Sequence, residues 1–283
     1  MKSQQHYTRS FSCEFFPAKT EAGADNLRNA SLALKKEMNP SYFSVTYGAG
    51  GSDQDKTFST VDMIKQASGI NVAPHLTCIG SKKNEISKIL EDYKAKGINR
   101  IVALRGDIPK GMDNPGELNY ANELISFIRE TTGEHFTIEV AAYPEFHPQA
   151  SNATDDLKNF RQKVMAGANS AITQYFYNAD AYFRFIDDCE KMAIDIPVIP
   201  GIMPITNYTS LARFSAMCGA EIPLWLSKRL LAFGDDTDAI KDYGTEIVTD
   251  MCQRLLDAGA PGLHFYTLNQ SEASLRIWKN LTL

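Results

Sequence analysis

The strongest constraint on the fold is a regular alternation. Short runs rich in β-branched and aromatic residues recur along the whole chain, each followed by a longer stretch of helical periodicity. The runs fall at about 11–15, 42–46, 72–77, 100–104, 137–142, 170–174, 197–201 and 262–266. They are short and nearly all apolar, as strands covered on both faces must be. Helical segments lie near 22–36, 56–68, 83–96, 121–131, 153–166, 179–192, 208–218 and 235–258, an additional helix is expected over 223–231, and the stretch from Ser271 onward closes the chain. Strands that alternate with helices in this way read as parallel β/α units. Three junctions repeat one device: Gly97, Gly167 and Gly259 each stand between a helix and the next strand. Glycine takes the left-handed conformation that ends a helix without a Cβ clash.

Eight such units in 283 residues predict an α/β fold, a single (β/α)8 TIM barrel over 1–283 with an extra helix before the last strand. A doubly wound open sheet would have fewer strands and a glycine-rich first turn. With 29 Lys+Arg against 34 Asp+Glu, net charge -5 and no basic block, the chain offers nothing to neutralise a run of phosphates, so no nucleic-acid partner is expected. The five cysteines, Cys13, Cys78, Cys189, Cys218 and Cys252, are odd in number and form no Cys-x-x-Cys pair, which reads as reduced thiols in a cytoplasmic protein. The N-terminus lacks an apolar h-region, and the longest uncharged stretch, 196–212, is broken by Pro197, Pro200 and Pro204. Neither export nor a membrane span is expected.

Sites in such barrels lie at the C-terminal ends of the strands. The polar residues expected there are Glu14, Thr46, Tyr47, His75, Thr77, Arg105, Asp107, Tyr143, Glu145, His147, Gln174, Tyr266 and Thr267. Glu14 stands in an otherwise uncharged strand, where burial disfavours its ionised form and would raise its pKa toward that of a general acid working near neutrality. The alternative is a carboxylate paired with a structural arginine or with backbone donors. Asp107 reads either as a functional strand-end carboxylate or as an Asx-turn residue or partner of Arg105. No His-x-His or His-Glu-x-x-His spacing occurs, so no metal is expected. No strand end carries the lysine a Schiff-base enzyme needs. Gly48-Ala49-Gly50-Gly51 is not a dinucleotide fingerprint, and Gly80-Ser81-Lys82 lacks the upstream glycine of a P-loop. Lys158, Arg161 and Lys163 make one helix face basic, a phosphate site or a solvated face. Aromatic residues near the strand ends, among them Tyr42, Tyr47, Tyr120, Tyr143, Tyr175, Phe214 and Tyr266, suit a flat conjugated ligand or the core.

The segments Cys13-Glu14-Phe15-Phe16-Pro17, Phe43-Ser44-Val45-Thr46-Tyr47-Gly48-Ala49, Ala73-Pro74-His75-Leu76-Thr77-Cys78 and Ala103-Leu104-Arg105-Gly106-Asp107 occur together. Ala141-Ala142-Tyr143-Pro144-Glu145, Ala171-Ile172-Thr173-Gln174 and His264-Phe265-Tyr266-Thr267-Leu268-Asn269 continue the series in order. The chain resembles the bacterial-type 5,10-methylenetetrahydrofolate reductases over roughly residues 11–278. The resemblance implies a flavoprotein oxidoreductase of one-carbon metabolism and methionine biosynthesis. In such a barrel FAD takes hydride from NADH or NADPH and passes it to methylenetetrahydrofolate in ping-pong order, giving 5-methyltetrahydrofolate. It implies Glu14 as the general acid that helps open the folate five-membered ring, and Asp107 as the carboxylate near flavin and pterin. FAD contacts are implied at Thr46, Tyr47, Ala49, His75, Arg105, Gly106, Asp107, Tyr120, Ala121, Tyr143, His147, Ala150, Asp156, Asn159 and Lys163, the last serving the pyrophosphate. Substrate contacts are implied at Glu14, Thr46, Asp107, Gln174, Phe214 and Gln270, and a homo-oligomer is expected by the same analogy.

Three positions depart from the family pattern. Gln162 stands where an arginine near the FAD phosphates is common, with Arg161 adjacent; Ser210 stands where a glutamine contacts folate; Gln270 replaces an arginine that helps hold the folate tail. Longer members carry a C-terminal domain that binds adenosylmethionine, for which 283 residues are expected to leave no room. The departures leave open a flavin barrel acting on another substrate, such as an amino-acid dehydrogenase, and a non-enzymatic flavin-binding accessory subunit.

Overall fold

The computed structural model describes residues 1–47, 54–108 and 116–283. The elements run β1 (Ser10–Phe15), α1 (Glu21–Met38), β2 (Tyr42–Val45), α2 (Gln54–Ser68), β3 (Val72–Thr77), α3 (Lys83–Ala95), β4 (Arg100–Leu104), α4 (Ala121–Thr132), β5 (Thr137–Ala142), α5 (Ala153–Met165) and β6 (Ser170–Thr173). They continue as α6 (Ala179–Lys191), β7 (Val198–Ile199), β8 (Gly201–Ile202), α7 (Tyr208–Cys218), α8 (Leu224–Ala232), α9 (Thr237–Asp257), β9 (Gly262–Tyr266) and α10 (Glu272–Asn280). Helix α8 is the expected extra helix. Polar caps start several of the others: Thr20 accepts from the Gly23 N–H, Asn152 from Asp155 and Asp236 from Ala239. The three junction glycines take positive φ, +66° at Gly97, +113° at Gly167 and +98° at Gly259.

All pairings are parallel, in the order β7-β6-β5-β4-β3-β2-β1-β9-β8. The seventh run, expected as one strand over 197–201, is two. Pro200 has no N–H to give a ladder, and the chain changes partner there: Val198 and Ile199 pair with Ala171 and Ile172, while Gly201 and Ile202 pair with His264 and Phe265. The two ends of the sheet therefore meet at Pro200, and the barrel closes. Gly201 makes the closure possible, because a Cβ there would sit 2.1 Å from the Thr173 carbonyl oxygen and 2.7 Å from Tyr266 Cε2. The Tyr266 hydroxyl donates to that same carbonyl at 2.8 Å.

Alternation along the strands sorts side chains into two shells. Outward residues such as Phe15, Phe43, Val45, Leu76, Ile101 and Val140 are fully buried against the helices, each contributing about 1.5–3 kcal/mol by leaving water. Tyr42, Ala73, Val102 and Ile172 form a separate inner cluster joined by Leu104 and Tyr266. Below it, near the strand starts, Glu139 is 1% exposed and accepts from Arg100 and from the Ser170 hydroxyl. The Arg100 guanidinium also covers the Tyr42 ring at 4.6 Å. The floor is thus ionic and closed, and polar chemistry is left to the other end.

Candidate active site

At the C-terminal ends of the strands a cavity of about 590 Å³ reaches down to Val102, Leu104 and Ile172. Of the residues singled out from sequence, Glu14, Thr46, His75, Arg105, Asp107, Tyr143, His147, Gln174 and Phe214 line it together, although they come from six strand ends and from α7. Tyr175, Met203, Met217, Cys218, Tyr266 and Leu268 complete much of its apolar wall. Gln270 lies outside that lining, exposed on the loop after β9, and so does Asn159, exposed on α5. Tyr120 is an exposed residue just before α4, and Ala121 is the first residue of that helix. Tyr47, half-buried, follows Thr46. Ala49 falls outside the described residues.

Glu14 lines the cavity with its side chain half-buried. Strand β1 turns Cys13 and Phe15 outward into the core, so Ser12 and Glu14 face the barrel axis. Glu14 Oε2 lies 3.3 Å from His75 Nε2 and 3.6 Å from His264 Nε2. Both nitrogens are buried and make no hydrogen bond among the described residues. The other face of His264 is fixed, with Nδ1 2.7 Å from the Ser12 hydroxyl. The raised pKa expected for Glu14 is not what this setting produces. Burial pushes the carboxyl up, but the charge interaction with His75 and the contacts with His264 outweigh it and hold the group at about 2. Neither the apolar neighbours along β1 nor the alternative of a structural arginine or backbone donors accounts for it: the partners are imidazoles. The missed signal is His264, which alternates with Tyr266 on β9 and is in register with Ser12, so it had to face inward.

The loop after β4 presents Arg105 and Asp107. Gly106 has φ +89°, and a Cβ there would meet Thr77 Cβ at 3.1 Å, so only glycine makes this turn without strain. The Arg105 carbonyl accepts from the Cys78 and Ile79 N–H groups at 3.2 and 3.0 Å. The Arg105 guanidinium donates to Gln149 Oε1 at 2.6 Å and to the Gly106 carbonyl at 3.1 Å. It is therefore not the partner of Asp107, which stands exposed on the rim of the cavity.

Beside it, the loop after β5 is tied to α5. Asp156 accepts from the His147 N–H at 2.9 Å, the His147 carbonyl accepts from Ala150 at 2.9 Å, and the His147 ring meets Tyr143 edge-on at 4.6 Å. Burial lowers the His147 pKa and raises that of Tyr143 to about 12. Lys163 turns inward from α5 and donates to the Ala141 carbonyl. Burial brings its ammonium down to about 8, against the opposing pull of Asp156. Opposite, Gln174 accepts from the Tyr175 N–H at 3.0 Å, and Phe214, Met217 and Cys218 face the cavity from α7. Asn269 holds the entrance between β1 and β9, accepting from the Phe16 N–H and donating to the Phe16 carbonyl, at 2.9 and 2.8 Å. Among the described residues no group of three His, Cys, Asp or Glu side chains is placed to hold a metal ion, and no helix is long and apolar enough to cross a membrane.

Comparison with known proteins agrees with this geometry. Residues 2–282 match the family described as methylenetetrahydrofolate reductase. The chain belongs to that family. The 5,10-methylenetetrahydrofolate reductase of Escherichia coli (strain K12) is 42% identical over 270 residues, covering 95% of this chain and 90% of the relative. Methylenetetrahydrofolate reductase (NADH) 1 of Arabidopsis thaliana is 37% identical over 287 residues, spanning 97% of this chain but 48% of its own length. Among solved structures, an uncharacterised Clostridium thermocellum protein that binds two copies of 5-methyl-5,6,7,8-tetrahydrofolic acid superposes with TM-score 0.68 at 16% identity, covering 99% of this chain and 96% of that one. The last shares the fold.

Proposed function

We propose that residues 1–283 act as one catalytic barrel that reduces 5,10-methylenetetrahydrofolate to 5-methyltetrahydrofolate with NADH or NADPH, using FAD in ping-pong order. The observation that carries the proposal is the half-buried Glu14 carboxylate, flanked by His75 and His264 in a cavity lined by Tyr143, Phe214 and Tyr266 in a chain of the methylenetetrahydrofolate reductase family.

The residues present suit FAD. The cavity has Tyr143, Tyr266 and Phe214 around it and the polar side chains of Thr46, Arg105, Asp107 and Gln174 at its edges, which is what a planar ring system with polar edges requires. Thr46, Arg105, Gly106, Asp107, His75, Tyr143 and His147 would hold the ring. Lys163, with Asp156 and Asn159 on α5, would serve the diphosphate, and Tyr47, Ala49, Tyr120, Ala121 and Ala150 the rest. Bound there, the flavin supplies a two-electron carrier between pyridine nucleotide and folate.

The protein's own task is to orient the two substrates in turn and to move one proton. Gln174 and Phe214 offer the same amide and aromatic face to nicotinamide and pterin, and Asp107 orients the pterin from the opposite rim. Glu14 passes a proton to the folate ring nitrogen as the five-membered ring opens to the iminium. The two imidazoles hold the Glu14 carboxyl low in the ligand-free protein, so the acid role requires the bound ring systems, by excluding water from the cavity, to raise it. The four buried cysteines and half-buried Cys218, all free, suit a reducing cytoplasm. Exposed Leu224, Trp225 and Leu231 on α8 suit a homo-oligomer.

Glu14→Gln tests the assignment. Stopped-flow reduction of the flavin by NADH should stay nearly intact, while reoxidation by methylenetetrahydrofolate should slow by about 10²–10⁴. An equal loss in both half-reactions would remove Glu14 from the acid role.

A further inference from the structure

The acids that face the cavity, Glu14 and Asp107, repel an anionic substrate, so an anionic tail needs a cation elsewhere on the rim. Arg105 is already spent on Gln149 and the Gly106 carbonyl, and Lys163 is turned onto the Ala141 carbonyl. Arg213 is free. It immediately precedes Phe214 on α7 and lies one helical turn before Met217, so it flanks the stripe Phe214, Met217 and Cys218 that lines the cavity. Its guanidinium sits 5.6 Å from the centre of the Phe214 ring. Among the described residues this exposed side chain has neither a carboxylate nor a hydrogen-bond partner. Stacking on the ring holds the planar fork in place while leaving its N–H edges open, the arrangement that receives a carboxylate in bidentate fashion. Ser210, three residues before it on α7, carries no charge.

We propose that Arg213 is a specificity-determining residue that binds a carboxylate of the glutamate tail of the folate substrate at the α7 rim. This rests on the function proposed above. The pterin lies over the cavity floor, the aminobenzoyl ring passes Phe214, and the tail carboxylate meets the guanidinium as it leaves the barrel mouth.

The test compares wild type, Arg213→Gln and Arg213→Lys on two substrates, 5,10-methylenetetrahydrofolate and 5,10-methylenetetrahydropteroate, which lacks the glutamate. Arg213→Gln should raise KM for the folate roughly 5-fold, the scale of one solvent-exposed charged contact, with kcat within about twofold. Lysine should recover part of the loss, and KM for NADH should not move. On the pteroate, wild type and Arg213→Gln should be indistinguishable. An unchanged KM for the folate, an equal rise with the pteroate, or a matching rise in KM for NADH overturns the proposal. A wild-type protein that reduces neither folate instead overturns the functional reading beneath it, and the tail assignment with it.

Discussion

Replacing Lys163 with methionine should stabilise the ligand-free protein and at the same time weaken its hold on flavin. Burial lowers the Lys163 ammonium from 10.5 to about 8, and each pKa unit corresponds to about 1.4 kcal/mol. The upper bound is therefore about 3.5 kcal/mol, which partial exposure of the side chain reduces to about 1–2 kcal/mol. Because the native value lies below the unfolded one, the native state binds fewer protons between pH 8 and 10.5, so ligand-free stability rises with pH across that window. Lys163→Met should abolish this slope in urea titrations. A diphosphate reverses the linkage, since it favours the charged amine and binds with uptake of a proton. FAD affinity, read from quenching of flavin fluorescence, should hold below pH 8 and then fall by up to about tenfold per pH unit. His147, lowered by burial, is uncharged there, and Tyr143, near 12, is still protonated, so the window belongs to Lys163. A flat affinity profile from pH 7 to 9.5, or an unchanged profile in Lys163→Met, would refute the reasoning.

Three further outcomes follow from the packing. Arg100→Met leaves the Glu139 carboxylate, 1% exposed, without its cation and should cost about 3–5 kcal/mol. Glu139→Gln keeps an acceptor for Arg100 and Ser170 and should cost about 1–3 kcal/mol; urea midpoints in the reverse order would contradict the account of the floor. Gly201→Ala forces a Cβ against the Thr173 carbonyl and should lower stability by about 3 kcal/mol, with a clear drop in Tm. Asn269→Ala removes both side-chain bonds to Phe16 and should cost about 1–2 kcal/mol, with faster amide exchange at Phe16 as its direct sign.

The barrel was legible from the chain because its signals are local. Strand runs, helical periodicity and the glycines at 97, 167 and 259 each report on a few neighbouring residues, and the structure returns them with the seventh run split in two. Pro200 was visible too, but the change of partner it produces depends on strands 28 residues behind and over 60 ahead, which periodicity does not carry. The cavity members could be listed from their strand ends, and ten of the thirteen polar residues expected there do line it. The charge state of Glu14 could not, because it is set by His75 and His264, which share no segment with it. The same holds for Lys163, where sequence shows a basic helix face and only packing shows the ammonium turned onto Ala141.

The change of partner at Pro200 also gives the barrel a seam. Most neighbouring strands are joined by ladders three to five residues long, but this one joint rests on two residues at each side. Gln4 holds the segment leading into β7, accepting from the Val198 N–H at 2.8 Å and donating to the Ile196 carbonyl at 3.2 Å. The joint adjoins Met203 and Gln174 in the cavity wall. On the function proposed above, the joint with the shortest ladders stands on the side of the cavity where pyridine nucleotide and folate would take turns.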